Sequence, residues 1–177
     1  MAEEKKDPWL NYLALCTVIL AVCATLSTFK GGGYSTRSVI AQAQASDQWA
    51  YYQAKGIKGN QYEIARDRLQ LELDTLPAAD AAKRQRYQAA VAEADQRARR
   101  YAAERKQIEQ SARQLEEERN QAQRQGKPFG MAVIFLQVAI LVSSIAGLFK
   151  RKQIWYAGLP IGALGLVYFA DGFFLFF

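Results

Sequence analysis

The side chains with the clearest chemical potential are one carboxylate and one carboxamide inside apolar runs. Asp171 is the only ionisable residue within the three long apolar runs of the sequence, and Gln137 is the other polar candidate. An acid at membrane depth indicates a functional site by default, so the pair suggests an ion or proton pathway. Asp171 lies 17 residues after Ile154, near the end of its run. We therefore favour an interfacial or chain-ending role for Asp171, and an interhelical hydrogen bond for Gln137.

A second candidate is the aromatic cluster Trp49, Tyr51 and Tyr52, which lies in the polar segment Asp-Gln-Trp-Ala-Tyr-Tyr-Gln-Ala-Lys at 47–55. Three aromatic rings in four residues exceed what one two-helix seam would hide. Aromatic side chains dominate interface energetics, so we favour a packing layer between subunits. A ligand-sensing site through Trp49–Tyr52 is the alternative.

The remaining composition argues against an enzyme. The 177 residues contain no histidine, which removes the commonest general base and metal ligand. We find no glycine-rich phosphate loop, no metal-ligand spacing and no nucleophile beside a base, so we expect no enzymatic activity and no cofactor. Lys and Arg number 23 against 17 Asp and Glu, and the two signs interleave along the chain. That pattern is typical of solvated helices, and we expect no nucleic-acid partner.

Half of the residues are hydrophobic although the mean hydropathy is only −0.18, because the apolar residues are concentrated in three runs. We predict transmembrane helices over 9–29, 129–149 and 154–177, since about 20 apolar helical residues cross a bilayer. The first run has 20 consecutive uncharged residues, which favours a retained anchor over a cleaved signal peptide.

The loop 150–153 sets the predicted orientation. Lys150, Arg151 and Lys152 are consecutive bases in a short loop, and short basic loops stay in the cytoplasm. The tail 1–8 is then cytoplasmic too, and residues 30–128 are periplasmic. The predicted location is therefore a bacterial inner membrane, spanned three times.

Heptad repeats predict that residues 30–128 form a long antiparallel coiled-coil helical hairpin between the first and second spans, so the fold class is all-α. In the outgoing arm, Ala43, Ala50, Ile57, Ile64 and Leu71 recur at intervals of seven. In the return arm the predicted seam positions are Tyr87, Val91, Ala94, Ala98, Tyr101, Arg105, Ile108, Ala112, Leu115 and Arg119.

Several glycines and prolines of the hairpin predict helix boundaries. Gly31–Gly33 would loosen the exit from the first span, and Pro77 would end the outgoing arm. Gly56 and Gly59 suggest a break in that arm. Gly126 and Pro128 would end the return arm before the second span.

The seam composition suggests self-association. Its alanines bury little area, and Arg105 and Arg119 need partners, most simply carboxylates on a neighbouring helix. A row of small residues in the third run, Gly158, Gly162 and Gly165, would let helices approach closely, within one chain or between chains. We expect a homo-oligomer.

Two stretches resemble a known family. The segment 47–55, and Trp155-Tyr-Ala-Gly158 together with Gly162-Ala-Leu-Gly-Leu-Val167, are similar to the bacterial family catalogued as domain of unknown function 4337. The resemblance implies an inner-membrane protein with no assigned activity and brings no catalytic residue. We therefore expect a structural or scaffolding component whose partners are itself, membrane lipids and another membrane complex. A channel or transporter subunit using Asp171 and Gln137 is the alternative.

Overall fold

The computed structural model describes residues 8–176, and every regular element in that range is an α-helix. α1 runs over Pro8–Thr75, α2 over Ala81–Leu148 and α3 over Lys152–Phe174. The all-α prediction is thus confirmed for the described residues. Each helix contains a stretch that is long and apolar enough to cross a membrane. Residues 1–7 of the predicted tail and Phe177 at the end of the third predicted span lie outside the described residues.

The chain divides into two compact units. The terminal unit contains residues 8–40 and 119–176 of the described chain, and the central unit contains residues 41–118. α1 and α2 contribute to both units, whereas α3 belongs to the terminal unit alone.

The terminal unit packs the three helices around small and aliphatic side chains. Leu20 and Ala24 of α1 meet Ala132, Leu136 and Ala139 of α2 in one buried cluster. A second cluster joins Trp9 and Leu13 of α1 to Ala146 of α2. Six buried residues in the apolar part of α2 recur every three or four positions, which places them on one helix face: they are Phe129, Ala132, Leu136, Ala139, Ser143 and Ala146.

The outer surface of the terminal unit is strongly apolar. On α1, Leu15, Val18 and Val22 are 54–60% exposed, and on α2 Ile134 and Leu141 are exposed to a similar degree. Water-soluble proteins rarely expose a contiguous apolar surface of this size.

α1 and α2 continue through the glycines that were expected to interrupt them. The prediction that Gly31–Gly33 loosen the chain, and that Gly126 with Pro128 ends a helix, is wrong: all lie inside continuous helices. A Cβ atom on Gly31 would lie 3.2 Å from Cβ of Phe129, and one on Gly126 would lie 3.1 Å from Cβ of Tyr34. These glycines let two helices approach closely, and this packing overrides their low helix propensity.

In the central unit, contacts pair α1 and α2 in reverse order along the chain. Side chains of 49, 55 and 66 on α1 reach 116, 104 and 95 on α2, respectively. The buried residues between them are mostly alanine: Ala41, Ala45, Ala94, Ala98 and Ala112, with Leu73 and Ile108.

The turn between α1 and α2 lies where Pro77 predicts the end of a helix, since α1 ends two residues before this proline. The guanidinium of Arg84 donates to the backbone carbonyl oxygens of Leu76 at 2.9 Å and Leu73 at 3.4 Å. The carbonyl oxygen of Leu73 also accepts the backbone N–H of Leu76 at 3.2 Å. Arg84 therefore adds a second donor to Leu73 and supplies one to Leu76, at a helix end where regular helical donors are missing.

Gly56 and Gly59 do not break α1, although a break was considered there. Both are buried against large side chains of α2. A Cβ atom on Gly56 would lie 3.3 Å from Cζ of Arg105, and one on Gly59 would lie 3.4 Å from Cβ of Tyr101. The glycines therefore make room for an arginine and a tyrosine of the facing helix.

Candidate functional site

The aromatic cluster of the central unit is divided between the helix interface and the surface. Trp49 and Tyr52 lie three residues apart on α1, on the face that meets α2. The indole N–H of Trp49 donates to Oε1 of Glu116 at 2.9 Å. The Trp49 and Tyr52 rings meet edge to face with centroids 5.4 Å apart. Tyr51 is 50% exposed, so one of the three rings is left at the surface.

Arg105 of α2 completes this arrangement from the facing helix. Its Nη2 donates to the hydroxyl oxygen of Tyr52 at 2.9 Å, and its Cζ lies 4.4 Å from the centroid of the Tyr52 ring. Arg105 thus has a partner on the neighbouring helix, but the partner is Tyr52, which supplies a hydrogen-bond acceptor and a cation–π contact, rather than the expected carboxylate. Nε of Arg105 is buried with no hydrogen-bond partner among the described residues. Arg119, the other seam arginine, donates to the side chain of Asn120 at 2.8 Å.

A second polar contact lies one to two turns further along α1. Nζ of Lys55 donates to Oε2 of Glu104 at 2.6 Å, and Nε of Arg100 donates to Oε1 of Glu104 at 2.8 Å. The hydrogen bond from Lys55 is the main cause that lowers the pKa of Glu104, and Arg100 adds to it. The same bond raises the pKa of Lys55, with a further contribution from Tyr51.

A third group of contacts between α1 and α2 also combines tyrosine rings with cationic side chains. The rings of Tyr62 and Tyr101 stack with centroids 5.7 Å apart. Nη1 of Arg97 donates to the Tyr62 hydroxyl oxygen at 2.9 Å, and Nζ of Lys55 lies 5.2 Å from the Tyr101 centroid. Apart from Nε of Arg105, the polar groups of these three sets of contacts are thus engaged with one another. Because each of these contacts joins a particular residue of α1 to a particular residue of α2, together they fix the register between the two helices.

The predicted seam residues of α2 are all buried or partly buried. Ala94, Ala98, Ile108 and Ala112 are buried; partly buried are Tyr87, Val91, Tyr101, Arg105, Leu115 and Arg119. They lie on the α2 face towards α1, as the contacts of Tyr101 and Arg105 show.

The structure does not bring Asp171 and Gln137 to one site. Asp171 is 3% exposed near the end of α3, where its Oδ1 accepts the backbone N–H of Phe176 at 2.6 Å. It lines a cavity of about 550 Å³ whose other lining residues include Arg124, Lys127 and Tyr168. Gln137 is exposed on α2 and is not among the residues that line this cavity.

The three glycines of the predicted small-residue row in α3 are buried against α2. A Cβ atom on Gly158 would lie 3.0 Å from Cγ1 of Val142, on Gly162 3.4 Å from Cβ of Ala139, and on Gly165 2.8 Å from Cγ of Leu136. The small-residue row therefore packs within one chain.

The basic loop is shorter than predicted, because α3 begins at Lys152. Lys150 adopts a left-handed conformation with φ of 51°, and the backbone N–H of Arg151 donates to the carbonyl oxygen of Ala146 at 3.1 Å. A left-handed residue with such a bond ends α2 tightly.

Sequence reasoning missed three participants. Glu116 lies in a run of glutamates that looked purely solvated, Arg84 gave no capping signal, and Gly172 approaches Phe129 so closely that a Cβ would lie 2.7 Å from its ring. Only the pairing of the helices identifies these partners. Within residues 8–176, no three His, Cys, Asp or Glu side chains are grouped as a metal site would require.

Comparison with known proteins gave one match. The model of the family described as Domain of unknown function (DUF4337) matches residues 9–175, nearly the whole chain. No significant match was found among curated proteins or among solved structures.

Proposed function

Because the chain belongs to the DUF4337 family, whose description assigns no activity, we propose its function from its own architecture. The protein is a non-enzymatic bacterial inner-membrane protein that associates with copies of itself and acts as a structural or scaffolding component, accessory to another membrane complex. Its three apolar stretches cross the membrane, and residues 30–128 form a coiled-coil hairpin on the periplasmic side.

The single observation that carries the proposal is the exposed apolar surface of the terminal unit. Leu15, Val18 and Leu141 are 59–60% exposed around a core of small side chains. Burial of this surface in lipid hydrocarbon removes it from water, whereas a soluble protein would carry an aggregation-prone patch. The stretches of α1, α2 and α3 long enough to span supply the required lengths.

The proposed orientation rests on charge. Lys150, Arg151 and Lys152 are consecutive and exposed where α2 ends tightly and α3 begins. Short loops with such an excess of bases are retained in the cytoplasm.

The proposed scaffolding role rests on how the central unit uses its polar groups. Trp49, Tyr52, Lys55 and Glu104 make hydrogen bonds between α1 and α2. The reverse order of these contacts and the seven-residue repeat in α2 favour a coiled-coil hairpin. A long coiled-coil hairpin provides an extended surface for assembly.

Self-association is supported by the position of Gln137. It is exposed on α2, on the same face as Ile134, Val138 and Leu141. In a bilayer, a carboxamide on such an apolar face is stabilised by a hydrogen bond to a neighbouring helix.

Protease treatment of intact spheroplasts tests the orientation. We expect added protease to cut the chain within residues 30–128 and to spare the 150–152 loop; an uncut central segment would overturn the proposal.

Crosslinking of lysines in native membranes, with mass measurement, tests self-association. We expect bands at multiples of the 19.9 kDa chain, and a monomer alone would contradict the proposal.

The channel or transporter alternative draws support from Asp171, which shares a cavity with Arg124 and Lys127. Asp171→Asn separates the two functions: the scaffold keeps its assembly and has no conductance to lose, whereas a transporter changes its conductance or ion coupling. The ligand-sensing alternative has less support, since Trp49 and Tyr52 are engaged with Glu116 and Arg105.

A further inference from the structure

An exposed row of aliphatic side chains follows α1 through the central unit. Ile57, Ile64 and Leu71 recur every seven residues and are 61%, 68% and 68% exposed. Ala43 and Ala50 continue the same recurrence and are also exposed. In contrast, residues 81–118 of α2 expose no large hydrophobic side chain. We call Ile57, Ile64 and Leu71 the α1 stripe.

The period of the α1 stripe indicates what covers it. A seven-residue repeat keeps an apolar row in contact with another helix along a left-handed supercoil, whereas a flat or globular surface imposes no such period. In parallel coiled coils, isoleucine at a together with leucine at d favours two strands; here the isoleucines are present at a, whereas the d positions are polar. The α1 stripe has isoleucine at two of its three positions.

Charges beside the α1 stripe specify the direction of the partner. With Ile57 and Ile64 at a positions, Glu63 occupies a g position and Arg68 the e position of the next heptad. In a parallel two-stranded coiled coil, a g residue lies beside the partner's e residue five positions later, and such pairs set partner choice and orientation. Glu63 and Arg68 are five positions apart and opposite in charge, and both are exposed. Nε of Arg68 also donates to Oε1 of Glu72 in its own chain at 3.2 Å, so Glu63 of a second copy would share this guanidinium with Glu72.

We propose that the α1 stripe packs against the α1 stripe of a second copy, parallel and in register, with Glu63 of each chain beside Arg68 of the other. The inference rests on the proposed function, because two copies inserted with the same topology carry α1 in the same direction. It names the face through which self-association occurs in the central unit.

The contact is weak by itself and is strengthened by the membrane. The d positions beside the α1 stripe include Asn60 and Asp67, which add little apolar area; Asp67 already accepts a hydrogen bond from Arg66 at 2.8 Å in its own chain. Confinement of both copies to one bilayer raises their effective concentration, so a short apolar row suffices for pairing.

Cysteine scanning of the full chain in native membranes tests this geometry. The background is Cys16→Ser with Cys23→Ser, which removes both native thiols. Single variants Ile57→Cys, Ile64→Cys and Leu71→Cys place identical residues opposite one another, within the Cα separation that a disulfide needs. We expect each to shift under mild oxidation to a band at twice the mass of the 19.9 kDa chain. Ala103→Cys, exposed on α2, is the matched control and should stay monomeric.

A charge exchange tests the partner's direction independently of oxidation. Glu63→Arg and Arg68→Glu should each reduce the Ile64→Cys dimer band, and the double variant should restore it, because the pair is re-formed with its signs reversed. Failure of the double variant to restore the band would overturn the parallel register.

Two further outcomes separate this inference from the proposed function. Lysine crosslinking that gives multimers while no stripe cysteine gives a dimer shows that copies associate through another face, which overturns the inference alone. Monomer by both methods overturns self-association as a whole. A stripe cysteine linked to a band of another mass identifies a different protein as the occupant and also overturns the inference.

Discussion

Gly165 of α3 lies so close to Leu136 of α2 that a Cβ atom on the glycine would lie 2.8 Å from the Cγ atom of the leucine. Leu136 is fully buried in the main core cluster of the terminal unit, so it has little room to move. α3 can therefore approach α2 this closely only because residue 165 has no side chain.

Gly165→Ala should therefore destabilise the terminal unit. The added methyl group overpacks the contact with Leu136, which typically costs about 1–3 kcal/mol. Thermal unfolding of the detergent-solubilised protein, followed by far-UV circular dichroism, measures the change. Gly130→Ala is the control, because a Cβ at Gly130 meets nothing within 4 Å. Equal midpoints for the two variants would show that the α3 contact does not limit stability.

The hydroxyl of Tyr52 should matter separately from its ring. Tyr52→Phe keeps the cation–π contact with Arg105 but removes the acceptor of a 2.9 Å hydrogen bond, which leaves a partly buried guanidinium less satisfied. We expect a loss of about 1–3 kcal/mol in unfolding free energy, and a larger loss for Tyr52→Ala. Tyr51→Phe, at a half-exposed ring, serves as control. A Tyr51→Phe loss as large as that of Tyr52→Phe would contradict the assigned role.

These two contacts show what could be predicted from the sequence. The burial of Gly158, Gly162 and Gly165 follows from small residues recurring every three or four positions, a local signal. The partner of Arg105 does not, because it depends on the register between two helices that are distant in sequence. The same register places Gly56 opposite Arg105. Gly56, which locally has the character of a helix breaker, therefore serves as a close packing position.

Helix boundaries were hardest to predict for the same reason. Gly126 and Pro128 have the local character of a helix end, yet α2 continues through both. Gly126 faces Tyr34 of α1, so tertiary packing decides the local conformation there. Pro77 is exposed, and α1 ends two residues before it, as the local rule predicts.

The contact between Lys55 and Glu104 predicts a pH dependence. The pKa of Glu104 is lowered from its ordinary value of 4.5, mainly by the hydrogen bond from Lys55. The Glu104 carboxylate therefore contributes its full stabilisation of the fold above its ordinary pKa, and this contribution is lost as the pH falls through the lowered pKa. The pKa of Lys55 is raised from 10.5, chiefly by the same bond, so its contribution persists to that pH and is lost only above it.

Glu104→Gln should therefore lower the midpoint of thermal unfolding by a constant amount from about pH 6 to pH 9, and by a decreasing amount below about pH 4. Glu93→Gln, at an exposed glutamate that pairs with Arg97 on the same helix, is the matched control and should have a smaller effect at neutral pH. A Glu104→Gln difference that did not shrink in acid would exclude the carboxylate as its cause.

Arg84 should control the stability of the turn at residues 76–80. Arg84→Ala removes the donor to the carbonyl oxygens of Leu73 and Leu76, with an expected cost of about 1 kcal/mol. Hydrogen exchange of the last turn of α1 should accelerate locally, while exchange near Trp49 stays unchanged. Arg86→Ala, at an exposed arginine two residues away, should leave both rates as they are. Equal acceleration by the two variants would show that positive charge rather than capping protects the turn.

The exposed carboxamide of Gln137 should strengthen association within the bilayer. Gln137→Leu keeps the apolar face of Ile134, Val138 and Leu141 but removes the group that would hydrogen-bond a neighbouring copy. Such bonds contribute about 1 kcal/mol in membranes, so we expect a roughly fivefold weaker association constant. Energy transfer between labelled copies in vesicles, measured over a range of protein-to-lipid ratios, gives this constant. Ser144→Ala is the matched control, because the exposed Ser144 hydroxyl donates to the carbonyl oxygen of Ile140 in its own helix at 2.8 Å and needs no other chain. If Gln137→Leu associated as tightly as Ser144→Ala, the face that bears Gln137 would not be the one through which the spans associate.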